Sequence, residues 1–261
     1  MQPFSKEEVL LTARLRNLIR SAQEKNYPRF SHFLDETGIA LAQQLLREEQ
    51  AEQYAFFGGF SGARRQMLGI CPDYLSPEQL EFPIAVLRFS FSEKMELTHR
   101  DVLGSLMSLG IKRETVGDIV LEPGTAYAAV CEELADWALQ NITRIGRVGV
   151  QTQLWDGSQV VLEQKYRCVG VSVASLRLDA VVAAALPASR TVAAELIQAG
   201  KVLQNGLPQT QTSRMVSLGD TITVRGKGKF LVGEKTGQTR RGRIHLEIKH
   251  FISCSIPVKL K

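Results

Sequence analysis

The sequence predicts an α+β protein of three successive regions, and three observations carry that prediction. From Ile84 to Leu154, stretches that alternate apolar and polar residues succeed stretches with helical spacing in the order βαββαβ. From Arg177 to Phe230, two short helical patterns separated by Pro187 feed short strands joined by glycine-containing turns. Charge is also split along the chain. Residues 171–261 hold 14 Lys/Arg against 5 Asp/Glu, whereas residues 1–170 hold 18 against 22, within a net charge of +5. The predicted regions are 1–78, a helical and α+β N-terminal region; 79–172, a βαββαβ middle domain; and 173–261, a basic C-terminal domain with an extension.

Ser5 to Lys25 reads as an amphipathic helix, with Val9, Leu10, Ala13, Leu18, Ile19 and Ala22 on one face and Arg14, Arg16 and Arg20 mostly outside it. Tyr27-Pro28 ends it, because the residue before proline avoids the α region. Thr37 to Gln50 is a second helix. Phe56-Phe57 suggests a strand end, followed by Gly58, Gly59 and Gly62 and then Arg64 and Arg65. A glycine turn with exposed amides and flanking guanidiniums can hold a phosphate or carboxylate. A tight loop into a strand at Gln66–Ile70 accounts for the same residues. No Gly-Lys-Ser/Thr follows, so this is not a nucleotide P-loop. Cys71-Pro72 and Ser76-Pro77 mark the boundary to the next region.

In the middle region Ile84–Phe91 reads as a strand, and Thr98 caps a helix through Leu109. Strands at Gly117–Leu121 and Thr125–Val130 flank the Pro123-Gly124 turn, Glu132–Asn141 is helical, and Arg147–Leu154 is a final strand. This order is the ferredoxin-like arrangement, shared by RNA-recognition motifs. The RRM-like sheet lacks their exposed aromatics, since Tyr127 is the only ring of its third strand. A turn at Trp155–Ser158 and a strand segment at Val160–Val173 lead onward.

In the C-terminal region Leu178–Leu186 is a helix stopped by Pro187, and Ser189 caps a second helix that buries Val192, Ala193, Leu196 and Ile197. Gly200 stands where a left-handed C′ residue belongs, and Asn205-Gly206 suits a type I′ hairpin turn. Leu218-Gly219-Asp220 turns into a strand at Thr221–Val224, and Arg225 to Phe230 closes the unit. Gly233 to Gly242 is polar and glycine-containing and is predicted to be a flexible loop, with Arg240, Arg241 and Arg243 available to RNA or to solvent. Ile244–Phe251 alternates as a closing strand, and Lys259 and Lys261 form a basic tail. Such a cationic block on a mildly acidic chain implies a polyanion partner, above all nucleic acid, whose condensed counterions are released on binding.

Arg177-Leu-Asp179, Ser189-Arg190, Gly200-Lys-Val, Asn205-Gly206, Gly219-Asp220 and Arg225-Gly226 together resemble the S4 RNA-binding domain. Asp101-Val-Leu-Gly104, Gly110-Ile-Lys-Arg113 and Gly117-Asp118-Ile119, with Gly58-Gly59-Phe60 and Gly62-Ala63-Arg64 before them, resemble the landmarks of YlmH-like proteins, so the likeness spans essentially the whole chain. A related branch in photosynthetic lineages is named for photosystem II, a link that no residue here carries. The resemblance implies a cytoplasmic protein that binds structured RNA (rRNA or tRNA) at the large ribosomal subunit, with peptidyl-tRNA, in rescue of stalled nascent chains, without DNA specificity. In that setting Arg177, Arg190, Lys201, Arg214, Arg225, Lys227 and Lys229 are expected to contact RNA phosphates and Ser189, Asn205 and Gly206 to offer polar contacts, while Arg64 and Arg65 are candidates on the separate ground of the glycine turn.

Several S4 proteins are enzymes, but the residues here assemble no nucleophile, base and oxyanion donor. Arg177-Leu178-Asp179 has the letters of a pseudouridine synthase motif yet begins the S4 helix. His32, His99, His245 and His250 lack zinc spacing, and no glycine-rich cofactor turn follows a strand. No enzyme activity and no cofactor are therefore expected. An RNA-modifying enzyme that docks through its S4 domain is the alternative, and a protein-interaction adaptor the third reading. No apolar run approaches the roughly 20 residues of a membrane span, MQPFSKEEVLL has no secretory signal core, and the scattered Cys71, Cys131, Cys168 and Cys254 read as reduced thiols.

Overall fold

Helical spacing in the first 50 residues produces a hairpin of α1 (Lys6–Lys25) and α2 (Glu36–Glu48) around the two-residue β1 (Arg29–Phe30). The Asp35 side chain caps α2 by accepting from the Gly38 amide at 2.9 Å. Leu15, Ile19 and Ala22 pack against Ala42, Leu45 and Leu46 and against Leu68 and Ile70 of the adjoining sheet. That sheet has the order β1-β3-β2, with β2 at Tyr54–Phe57 and β3 at Met67–Ile70. Arg16 and Arg20, outside the apolar face, bridge the helix pair through Glu49 at 3.1 and 3.2 Å. The computed structural model describes residues 6–155, 166–239 and 242–252, and these form two units, one before residue 156 and one after 165. Ser5, Asp156–Ser158, the 160–165 end of the segment leading into the basic region, Arg240, Arg241, Cys254, Lys259 and Lys261 lie outside the described residues.

The βαββαβ reading is realised by β4 (Ile84–Ser90), α3 (His99–Ser108), β5 (Val116–Glu122), β6 (Thr125–Cys131), α4 (Ala135–Asn141) and a last strand. That last strand differs from expectation. Val148–Gly149 (β8) folds back on Arg144–Ile145 (β7) around Gly146, whose φ is 56°, and only β9 (Gln151–Trp155) joins the sheet. The small hairpin buries Ile145 and Val148, which a continuous strand would not do with both. The sheet order is β5-β6-β4-β9, the ferredoxin-like order, with every pairing antiparallel.

Alternation sends Leu87, Phe89, Ala128 and Val130 to one face, where Val102 and Leu106 of α3 and Ala135 and Ala138 of α4 cover them. Val86, Val120, Tyr127 and Ala129 point to the other, where Phe33, Phe60 and Met67 of the N-terminal region cover them. Helix pair and sheet therefore share a core. Glycine permits the contact. A Cβ on Gly117 would lie 2.7 Å from the Phe33 ring, and one on Gly58 would strike the Arg65 carbonyl and sit 2.5 Å from the Ala63 Cβ.

The second unit is a six-stranded sheet backed by two helices, with strand order β10-β15-β14-β13-β11-β12. Its elements are β10 (Tyr166–Val173), α5 (Leu178–Ala185), α6 (Arg190–Gln198), β11 (Val202–Gln204), β12 (Leu207–Gln209), β13 (Thr221–Val224), β14 (Gly228–Gln238) and β15 (Ile244–Phe251). Leu178, Val181, Ala193 and Ile197 of the helices pack on Val202, Ile222, Phe230 and Ile248 of the sheet. The loop predicted from Gly233 is instead strand as far as Gln238. Two register shifts, at Val232/Lys235 and Lys235/Gly237, absorb its glycines while it stays paired to β15. Polar composition suggested a loop because this stretch has little apolar face to bury.

Gly58→Ala is expected to lower stability by about 1–3 kcal/mol through overpacking, whereas Gly104→Ala on α3, where a Cβ meets nothing within 4 Å, should raise it by about 0.5–1 kcal/mol. Urea unfolding of the two variants checks the opposite signs.

Candidate nucleic-acid interface

Two arginines of the C-terminal unit converge on one carboxylate. Asp179 lies in the first turn of α5, 7% exposed. It accepts from Arg177 Nε and Nη2 at 3.2 and 3.1 Å, from Arg190 Nη2 at 2.6 Å, and from the Ala180 amide at 2.8 Å. Burial pushes this carboxyl up, and the hydrogen bonds and charges of Arg177 and Arg190 outweigh burial and hold it below its ordinary value. Its hydrogen bonds and charge in turn raise the Arg177 guanidinium. Arg177 and Arg190 remain 40% and 56% exposed, so each fork is fixed on one edge and open on another. The chain turns by 115° between α5 and α6, and Ser189 caps α6 by accepting from the Val192 amide at 3.2 Å.

A second network braces the hairpin. Asn205 and Gly206 take φ of 51° and 78°, the type I′ geometry. Asn205 Nδ2 donates to Asp220 Oδ1 at 2.8 Å, and its Oδ1 accepts from the Thr221 amide at 2.8 Å. Both ends of the amide are thus engaged within the protein, where the sequence suggested a polar contact to RNA. Buried Gln204 donates to Asp220 Oδ2 at 2.6 Å and to the Met215 carbonyl at 3.2 Å, and its Oε1 accepts from Arg214 Nε at 3.2 Å. The Arg214 backbone adjoins the start of α5, its carbonyl accepting from the Leu178 amide at 2.8 Å.

Lys201, Arg225 and Lys227 form an exposed group where α6 ends and the β13–β14 turn begins. Gly200 reverses the chain at φ 66°, and the Arg225 amide donates to the Lys201 carbonyl at 2.9 Å. Lys229 departs from this group. Its Nζ stands 4.7 Å above the Phe251 ring, on the sheet face away from the helices. Arg243 holds the sheet together, its Nη2 donating to the Ser172 carbonyl at 2.7 Å. The sequence did not single out Asp179, Gln204 or Asp220 as supports, although a carboxylate two residues from Arg177 was a usable signal.

Arg64 and Arg65 belong to the other unit. Their backbone amides do hold a carboxylate, that of Asp118, at 2.5 and 3.0 Å. The Arg65 side chain donates to the carbonyls of Val116, Phe33 and Arg113 at 3.0, 3.2 and 3.3 Å, and Arg113 Nη1 donates to Val116. Burial, the largest effect on both, lowers these guanidiniums from the ordinary arginine value. The glycine turn is therefore a cradle filled from within the chain. Among the described residues no three His, Cys, Asp or Glu gather to hold a metal. The buried Cys131 thiol is pushed up to about 12, so it is not a thiolate nucleophile at neutral pH. Among the described residues no single helix is long and apolar enough to cross a membrane.

A carboxyl depressed in the folded state stabilises above its unfolded value, near 3.9 for aspartate, and that contribution is lost as pH falls through the folded value. Thermal unfolding is expected to show Asp179→Asn less stable than wild type at pH 7, with the gap closing in the window below about pH 4.

Comparison with known proteins agrees with this architecture. Residues 77–158 match the family described as "Putative RNA-binding domain in YlmH", and residues 176–222 match the S4 domain. The chain is 28% identical over 246 residues to a Bacillus subtilis (strain 168) protein named "Ribosome-associated protein quality control protein P2", covering 93% of this chain and 95% of that one. A solved structure titled "Cell division protein ylmH from Streptococcus pneumoniae" shares the fold over 59% of this chain and 94% of that one, with a TM-score of 0.50 at 24% identity. A YlmH-type RNA-binding domain thus leads into an S4 domain whose arginines a buried aspartate holds in place, and in that arrangement the chain is similar to YlmH-like S4-domain proteins.

Proposed function

We propose that this protein binds structured RNA on the ribosome through its S4 domain, contacting the large subunit and peptidyl-tRNA in the rescue of stalled nascent chains. In this reading it works in the cytoplasm, without catalysis or cofactor. The observation that carries the proposal is the pinning of Arg177 and Arg190 by Asp179, because fixed guanidiniums lose little freedom on meeting phosphates. Arg214 and the Lys201, Arg225 and Lys227 group extend the same cationic unit. The name of the Bacillus subtilis relative, which matches over 93% of the chain, supports a ribosomal setting. Asn205 and Arg65 act in this reading by shaping the domain, since their polar groups are engaged internally. Structured RNA would be recognised chiefly by shape and by backbone and 2′-OH contacts.

The test uses Lys201→Glu with Lys227→Glu. Arg190 is avoided because a glutamate there would set a second carboxylate against Asp179. The double variant should fold as wild type and bind tRNA more weakly. Its log K against log salt line should be shallower by about one unit for each lost phosphate contact. Wild-type affinity and slope in the folded variant would remove this surface from the mechanism. New modified nucleosides after incubation of total RNA with the protein and candidate cofactors would favour an RNA-modifying enzyme instead.

A further inference from the structure

The S4 match ends at residue 222, yet the sheet continues through β14 and β15 and takes in β10, which precedes the match. Strand alternation gives this extension two faces. Phe230, Val232, Leu246 and Ile248 point to the core beneath the helices. Tyr166, Phe251, Lys249 and Leu231 point the other way. On that outer face Tyr166 pairs directly with Phe251, their rings edge-on at 5.0 Å, and Lys229 Nζ caps the Phe251 ring at 4.7 Å. One row thus runs tyrosine, phenylalanine, lysine across three adjacent strands, β10, β15 and β14. The next row runs Cys168, Lys249 and Leu231, with Lys249 Nζ 3.2 Å from Glu247. Tyr166 is 40% exposed.

We propose that this outer face is a second RNA-contacting surface, one that takes an unpaired base. A single-stranded segment needs an aromatic ring on which to stack and a cation beside it for the phosphate, and the row supplies Tyr166 with Lys229 one strand beyond Phe251. The chemistry is unlike that of the helix-side surface, where arginines and lysines without aromatic rings suit the phosphates of folded RNA. Charge complementarity selects the occupant. The β14 and β15 part of the face lies in residues 171–261, which hold 14 Lys/Arg against 5 Asp/Glu, and its rings stand beside Lys229, with Lys249 paired to Glu247 in the next row. An apolar protein patch would have to bury those ammonium groups, a cost that an RNA backbone avoids.

The experiment measures binding of a fluorescent, unpaired oligouridine and of folded tRNA to the full chain, to Tyr166→Ala and to Tyr166→Trp. Loss of one stacked base should weaken oligouridine binding by Tyr166→Ala at least about fivefold, while Tyr166→Trp stays within about twofold of wild type. Binding of tRNA should be the same in all three, which separates this surface from the helix-side one. The proposal is overturned if wild type does not bind oligouridine or if Tyr166→Ala binds it as wild type does. It is also overturned if tryptophan fails to restore binding, or if both RNAs are lost together.

Discussion

The carboxylate of Asp179 is the interaction on which the C-terminal unit turns. It sits where α5 begins, accepts from Arg177 just ahead of that helix, and reaches Arg190 at the start of α6. One buried acid therefore fixes the start of two helices and the direction of two guanidiniums. Removing either partner from such a cluster would leave the others with charge incompletely compensated. Without it the helix pair would still have its apolar contacts through Leu178, Val181, Ala193 and Ile197. What would be lost is the fixed aim of the arginines, and that aim gives the cationic surface a definite shape.

The N-terminal unit applies the same device in another place. Asp118, at the start of a central-domain strand, accepts from the amides of Arg64 and Arg65. The Arg65 fork then reaches three carbonyls, that of Phe33 and those of Arg113 and Val116 just ahead of Asp118. The glycine turn and Gly117-Asp118, far apart in sequence, are thereby one physical object. Each needs the other. The glycines let the backbones approach, and the aspartate supplies the acceptor that the bared amides require.

Much of this is legible in the sequence alone. The S4 helices, the Ser189 cap, the Asn205-Gly206 turn and the order of the middle-domain strands all depend on local chemistry, which a sequence displays directly. The filling of the glycine cradle was not, because Asp118 lies 54 residues from Arg64 and nothing in the spacing connects them. The strand character of Gly233 to Gln238 was hidden for a different reason. A strand held by backbone pairing and bulges, with charged residues outward, shows little alternation. The turn at Asn205 is legible in the sequence, whereas the bracing of the hairpin by its amide, through Asp220 and Thr221, is not.

In RNA-recognition motifs the sheet face opposite the helices is where bases lie. Here Phe33, Phe60 and Met67 already occupy it, against Val86, Tyr127 and Ala129. Any nucleotide seeking that face would have to evict side chains that also anchor the first two helices. The middle domain has accordingly traded a reading head for an internal keystone, and sequence discrimination by the conventional route is closed to it.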